Sequence, residues 1–169
     1  MVNIIFNAAL ICYLLSGLGY TLYLVFRNSI VKQFSIYLLG LGLFSHTVTI
    51  VLRSVDTGHG PYTTGFEIAS FLAWVIVLIY FFIEFKYKIK DLGAFVIPVV
   101  FLILLFSAFQ SREFSLIDES STMFWLTMHR TLSIIGYAAF AIAFGAAVMY
   151  LIQENQVKTK KMGVMYFRM

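Results

Sequence analysis

Residues 125–161 read WLTMHRTLSIIGYAAFAIAFGAAVMYLIQENQVKTKK, and from Leu132 to Ile152 no charged side chain interrupts them. About 20 apolar residues at about 1.5 Å rise each cross a hydrocarbon core of about 30 Å, so the stretch predicts a transmembrane helix over 125–152. It opens with Trp125, His129 and Arg130 and closes on Lys158, Lys160 and Lys161. A tryptophan at entry and lysines at exit are the residues that the lipid–water boundary selects. Trp125 and His129, four apart, share one helical face at that boundary.

The rest of the chain has the same character. Its 169 residues are 61% hydrophobic and 12% charged, with a mean hydropathy of +0.91. A soluble domain averages about half apolar and a quarter charged, and no water-soluble fold of this size hides so much apolar side chain. Further apolar runs over 3–26, 34–52, 68–83 and 92–109 make the expected fold all-α: a single polytopic membrane bundle, 1–169, with five transmembrane helices. Pro98 falls near the start of the fourth run and predicts a kink. No Lys or Arg precedes the first run and no small-x-small cleavage site closes it before Arg27, so it reads as a retained helix. Ser16, Gly17, Gly19, Gly40 and Gly42 supply flat patches where helix backbones approach closely. The connector SVDTGHGPYTTGFE (54–67) is polar and turn-rich at Gly58, Gly60 and Pro61, and enters lipid only if protein covers it.

Counting cations by side sets an orientation. Arg27, Lys32, Lys86, Lys88, Lys90, Lys158, Lys160, Lys161 and Arg168 fall on one side; Arg53, Arg112 and Arg130 fall on the other. By the positive-inside rule the first side is cytoplasmic, the N-terminus outside, the C-terminus inside, and His59 and His129 at the outer face. The net charge of +4 is therefore a topology signal, and nucleic acid is not an expected partner.

Few groups carry chemistry. There is no HExxH, no phosphate loop and no Ser-His-Asp spacing, which removes the hydrolase and ATPase classes, and no catalytic residue is assigned. Cys12, the single cysteine, lies in an apolar run and reads as a buried small hydrophobe. His46 is the one histidine well inside an apolar helix, about 11 Å along the same face from Arg53. A titratable group in lipid must face protein and have a partner. Two readings stay open: an axial haem ligand with Arg53 on a propionate, or a histidine hydrogen-bonded to a neighbouring helix. His129 divides likewise between a ligand and an interfacial anchor beside Arg130 and Trp125. His59, in the Gly-rich connector, is expected to be solvated and is a weaker ligand candidate. Glu67 opens the third helix, where its charge favours the dipole, and also suits a pairing with Arg53. Glu84, beside the lysines, suggests no special role.

Three pieces together resemble a known family: SHTVTIVLRSVDTGHGPYTTGFEIASFLAW (45–74), WLTMHRTLSIIGYAAF (125–140) and LIQENQVKTKK (151–161). They are similar to the membrane-integral cytochrome c assembly proteins of the CcsA/ResC type, and more distantly to CcmC. The resemblance implies a multi-pass protein of the cytoplasmic membrane that binds haem b as transported cargo. It would present the haem for covalent attachment to apocytochrome c, in part of a synthetase or haem lyase system with a CcsB/ResB-type membrane partner. His129 would correspond to the first of two external haem-ligating histidines, and His46 to an intramembrane one, making both iron ligands. Members of that family continue into further helices with a tryptophan-rich segment and a second external histidine, which these 169 residues lack. Two other functions compete: a cytochrome b-like electron-transfer subunit, which needs two histidines at matching depth on facing helices, and a membrane scaffold without chemistry.

Overall fold

The computed structural model describes residues 2–87, 89, 91–112 and 124–159. The chain forms five α-helices: α1 (Val2–Phe26), α2 (Ser29–Thr57), α3 (Gly65–Tyr87), α4 (Gly93–Ala108) and α5 (Phe124–Lys158), with no strand among the described residues. Four of them, α1, α2, α3 and α5, are long and apolar enough to cross a membrane. The shorter α4, with 16 residues, reaches about 24 Å at about 1.5 Å per residue. The chain is thus a multi-pass helical membrane protein.

The helices outrun the apolar runs that announce them. Asn28 caps α2, its side chain accepting the Ile30 N–H at 2.9 Å, so the helix starts at Ser29 and takes in Lys32, which hydropathy puts in a loop. At the other end Arg53 does not terminate α2. The helix continues to Thr57, where Gly58 turns left-handed (φ 73°) and sends its N–H to the Ser54 carbonyl at 3.0 Å. Arg27 closes α1 in the same left-handed region (φ 56°), its N–H reaching the Tyr23 carbonyl at 2.9 Å. Beyond residue 152, α5 continues to Lys158, which pairs with Glu154 one turn back at 2.6 Å.

α1 packs against α2 and α4, while α3 packs against α4 and α5; contact between α2 and α3 is sparse. The core runs from Phe6, Tyr13 and Tyr20 of α1 through Leu39 of α2 and Ile76 and Tyr80 of α3 to Ile97, Val100 and Leu104 of α4. Outside it stand exposed Phe34, Phe44, Phe82, Phe106 and Phe140, an apolar perimeter that suits lipid and not water. At Gly42 the α1–α2 approach is so close that a Cβ would lie 2.7 Å from the Tyr13 ring. Glycine there lets Tyr13 lie flat on α2, and Ser16 adds a bond from its hydroxyl to the Ser35 carbonyl at 2.9 Å.

Antiparallel neighbours sort the charges to two ends. Arg53, Glu67 and Arg112 meet at one end with Asn3; Arg27, Lys32, Glu84 and Asp91 meet at the other. Lys88, Lys90, Lys160, Lys161, Arg168 and the stretch 113–123 lie outside the described residues.

Candidate functional site

His46 is fully buried where α1, α2 and α3 meet. Its Nδ1 lies 3.3 Å from the Tyr13 hydroxyl and its Nε2 2.9 Å from the Ser70 hydroxyl, so each ring nitrogen has a partner from a different helix. The Phe6 ring closes over it edge to face at 6.5 Å, and Tyr13 meets it at 5.7 Å between centroids. This is the hydrogen-bonded packing that one of the two readings of His46 required. An iron atom would have to displace Tyr13 or Ser70 to reach it.

Above His46, toward the connector, the guanidinium groups of Arg53 and Arg112 share the Phe66 ring at 4.8 and 4.9 Å, and Arg112 also stacks on Phe6 at 4.8 Å. Arg53 donates from Nε to Glu67 Oε1 at 2.8 Å and from Nη2 to the Arg112 carbonyl at 3.3 Å. Arg112 donates to Asn3 at 2.5 Å. Burial, together with the Arg53 charge, pushes the Arg112 pKa below the usual arginine range. Arg53 therefore makes the Glu67 pairing that the sequence allowed, with the carboxylate only 2% exposed.

Glu67 does more than pair. Its Oε2 accepts the Thr63 and Thr64 N–H groups at 3.1 Å each, and the Thr64 hydroxyl accepts the Glu67 N–H at 3.2 Å. That reciprocal exchange is a capping box, written in the sequence as Thr64-x-x-Glu67. His59 is not solvated as expected, because its side chain is only 8% exposed, 3.9 Å from Glu67. Its Nδ1 lies 2.8 Å from the Gly60 carbonyl, which only accepts, so that contact places a proton on Nδ1.

His129 is the opposite case. It is exposed near the start of α5, together with Trp125 (81% exposed) and Phe124. The side of α5 that packs on α3 and α4 is formed by Ile134, Ala138, Ile142 and Gly145; at 100° per residue His129 points away from it. Beside it, the Arg130 Nη1 is buried with no hydrogen-bond partner among the described residues. The structure does not bring His129 and His46 together: one faces outward on α5, the other is enclosed by α1, α2 and α3. No group of three or more His, Cys, Asp or Glu poised for a metal ion occurs among the described residues.

At the far end lies a cluster that sequence reading passed over. Glu84 Oε2 accepts the Tyr20 hydroxyl at 2.6 Å and the Tyr80 hydroxyl at 2.9 Å, and Lys32 lies 3.4 Å from Oε1. Arg27 pairs with Asp91 at 2.6 Å beside it. The available signal was Tyr80 and Glu84 at i and i+4 on α3, one helical face carrying a donor and a carboxylate.

These features define a class: a polytopic membrane protein with one sealed and one outward-facing histidine, and a charge-locked connector at one end. The comparisons narrow it. A family model described as Cytochrome C assembly protein matches residues 62–167, and the chain belongs to that family. It is 32% identical over 117 residues to the cytochrome c biogenesis protein CcsA of Chlorella vulgaris, covering 67% of this chain and 37% of that one. The CcsA of Guillardia theta is 26% identical over 155 residues (86% and 50%). Protein HemX of Bacillus subtilis is 26% identical over 164 residues (93% and 58%). The chain spans about half the length of these curated relatives. No solved structure matches.

Proposed function

We propose that this chain handles haem for cytochrome c maturation: it helps carry haem b across the cytoplasmic membrane and presents it, as cargo, for attachment to the thiols of apocytochrome c. Membership of the cytochrome c assembly family supports the process, and the geometry of the histidines supports the division of labour. His129 is the axial ligand. The observation that carries this is its exposure on the unpacked side of α5, whereas His46 has both nitrogens engaged. An exposed imidazole flanked by Trp125 fits the needs of a porphyrin iron, an open nitrogen beside an aromatic surface. The second axial ligand and the acceptor-binding surface come from outside the described residues, through a CcsB/ResB-type partner or further helices of the assembly. His46 serves as the junction pinning α1, α2 and α3.

In this reading the end carrying Arg53, Glu67 and His129 faces outward, as the charge count predicts. A cysteine placed at Thr64 should react with an impermeant thiol reagent from outside, and one at Thr159 should not; the reverse pattern would put His129 in the cytoplasm. The decisive experiment is His129→Gly in the complete assembly. Haem content and cytochrome c maturation should both fall, and external imidazole should partly restore them by filling the opened iron position. Unchanged haem content and maturation would leave His129 an interfacial anchor.

A further inference from the structure

The buried phenols of α1 and α3 have no part in haem handling as read above. Tyr13 and Tyr20 are both fully buried and lie seven residues apart on one face of α1, about 10.5 Å along its axis at about 1.5 Å per residue. Each hydroxyl is aimed at a group that can take a proton. Tyr13 meets His46 Nδ1 at 3.3 Å, and Tyr20 donates to Glu84 Oε2 at 2.6 Å. Tyr80, also fully buried, donates to the same oxygen at 2.9 Å, its ring edge to face with that of Tyr20 at 5.9 Å. Gly93 makes room for the pair, since a Cβ there would press on the Tyr80 hydroxyl and on the Tyr20 ring.

Packing alone does not call for bases at these places. A buried hydroxyl is satisfied by a carbonyl, as Ser16 is by Ser35 and Ser107 by Phe66. A base allows a second chemistry. Removing one electron from a buried phenol leaves a positive charge that a dry interior penalises, and a hydrogen-bonded base relieves it by taking the phenolic proton across a single bond. The two bases are not equal. At Tyr13 the product is an imidazolium sealed between the Phe6 ring and Ser70. At Tyr20 it is a neutral carboxyl group, and the charge then belongs to Lys32, which lies 3.4 Å from Oε1 with its side chain 14% exposed. The positive charge is better placed at the second pair.

We propose that Tyr13 with His46 and Tyr20 with Glu84 form a relay that carries an oxidising equivalent from the three-helix junction toward the Lys32 end of the bundle. In the first step Tyr13 gives one electron to a one-electron oxidant and its proton to His46 Nδ1, while His46 Nε2–H donates to Ser70. In the second, Tyr20 gives one electron to the Tyr13 radical and its proton to Glu84, and His46 returns its proton to Tyr13. The sum moves one electron from Tyr20 to the oxidant and one proton from Tyr20 to Glu84, and no proton passes between the two pairs. A one-electron reductant of the ascorbate or thiolate class restores Tyr20 as Glu84 gives the proton back. On the haem-handling reading above, the natural oxidant is haem that has met peroxide; the relay itself stands on the two phenol–base pairs.

The test therefore uses no haem. A ruthenium polypyridyl photo-oxidant is attached to the full chain carrying Cys12→Ala and Asp56→Cys, in phosphatidylcholine nanodiscs, and flashed with a sacrificial electron acceptor. Electron paramagnetic resonance of the frozen sample should show a long-lived tyrosyl radical. Tyr20→Phe, which keeps the ring, should abolish it, and Tyr13→Phe should slow its formation about tenfold. Glu84→Gln should cut its yield about tenfold, whereas a carboxylate that only holds helices together would leave the yield unchanged and refute the proton transfer. Exchange into heavy water should slow radical formation about twofold, a readout that needs no substitution at either pair. A radical of equal yield in Tyr13→Phe and Tyr20→Phe, residing instead on the exposed Tyr37, Tyr137 or Tyr150, overturns the relay. Because no haem is present, that result would leave the axial-ligand reading of His129 standing.

Discussion

Two histidines of one chain occupy opposite environments. His46 sits where three helices interlock, enclosed by Tyr13, Ser70 and Phe6. His129 rides on α5, a 35-residue helix that buries only Ile134, Ala138, Ile142 and Gly145, whereas the 23-residue α3 buries ten of its residues. The contrast teaches that an intramembrane histidine is not a ligand by virtue of depth. A nitrogen already accepting or donating a hydrogen bond in a dry interior is held by the cost of leaving its partner unpaired. A nitrogen at an exposed helix face has no such cost to overcome.

If the α1–α2–α3 junction is the rigid half and α5 the adaptable one, substitutions should sort accordingly. The largest loss is expected for Glu67→Ala, which strips Arg53 of its carboxylate and Thr63 and Thr64 of their acceptor at once. A destabilisation of about 3 kcal/mol is expected, in line with breaking a buried pair, and reversible unfolding in mixed micelles would measure it. His46→Ala should cost about 2–3 kcal/mol, most of it from the cavity, since intramembrane hydrogen bonds average only about 0.6 kcal/mol each. A smaller loss on His46→Ala than on His129→Ala would break the comparison outright. Gly42→Ala should cost about 1–2 kcal/mol as the new methyl pushes Tyr13 off α2, and a Tyr13→Phe background should leave that cost nearly unchanged, because the clash is with the ring. Smallest of all, His129→Gly should lower the unfolding free energy by about 0.5 kcal/mol, the cost of a glycine on an exposed helix face, while altering haem content as proposed above.

Much of the fold was legible because bilayer length fixes apolar length. The five runs mark five helices, and the charge counts mark the two ends where Arg53 with Arg112 and Arg27 with Lys32 gather. What hydropathy missed is where polar residues extend a helix. Asn28 caps α2 well before its apolar run begins, and the turn from Arg53 to Thr57 stays helical because backbone bonding, not side-chain polarity, decides. The run over 92–109 and the helix α4, Gly93–Ala108, agree to within one residue at each end. At the sites, Arg53–Glu67 was legible because opposite charges flank one connector. The Tyr13–His46–Ser70 bridge was not, since hydroxyls on three separate helices carry no local pattern. Glu84 was misjudged for a related reason: its nearest cations in sequence, Lys86 among them, drew attention from Tyr20, 64 residues away. His59 looked solvated because glycines surround it, yet Glu67 draws the connector down over the bundle.

The length of α5 has a mechanical consequence. As one unbroken helix from Phe124 to Lys158 it measures about 52 Å at about 1.5 Å per residue, well beyond a hydrocarbon core of about 30 Å. It is therefore a rod, gripped through four small or slender side chains near its middle, with His129 at one tip and Lys158 at the other. His129 and Lys158 are therefore joined by a single unbroken backbone of hydrogen-bonded turns, about 43 Å apart along its axis at about 1.5 Å per residue, so the two tips share one element and no hinge divides them.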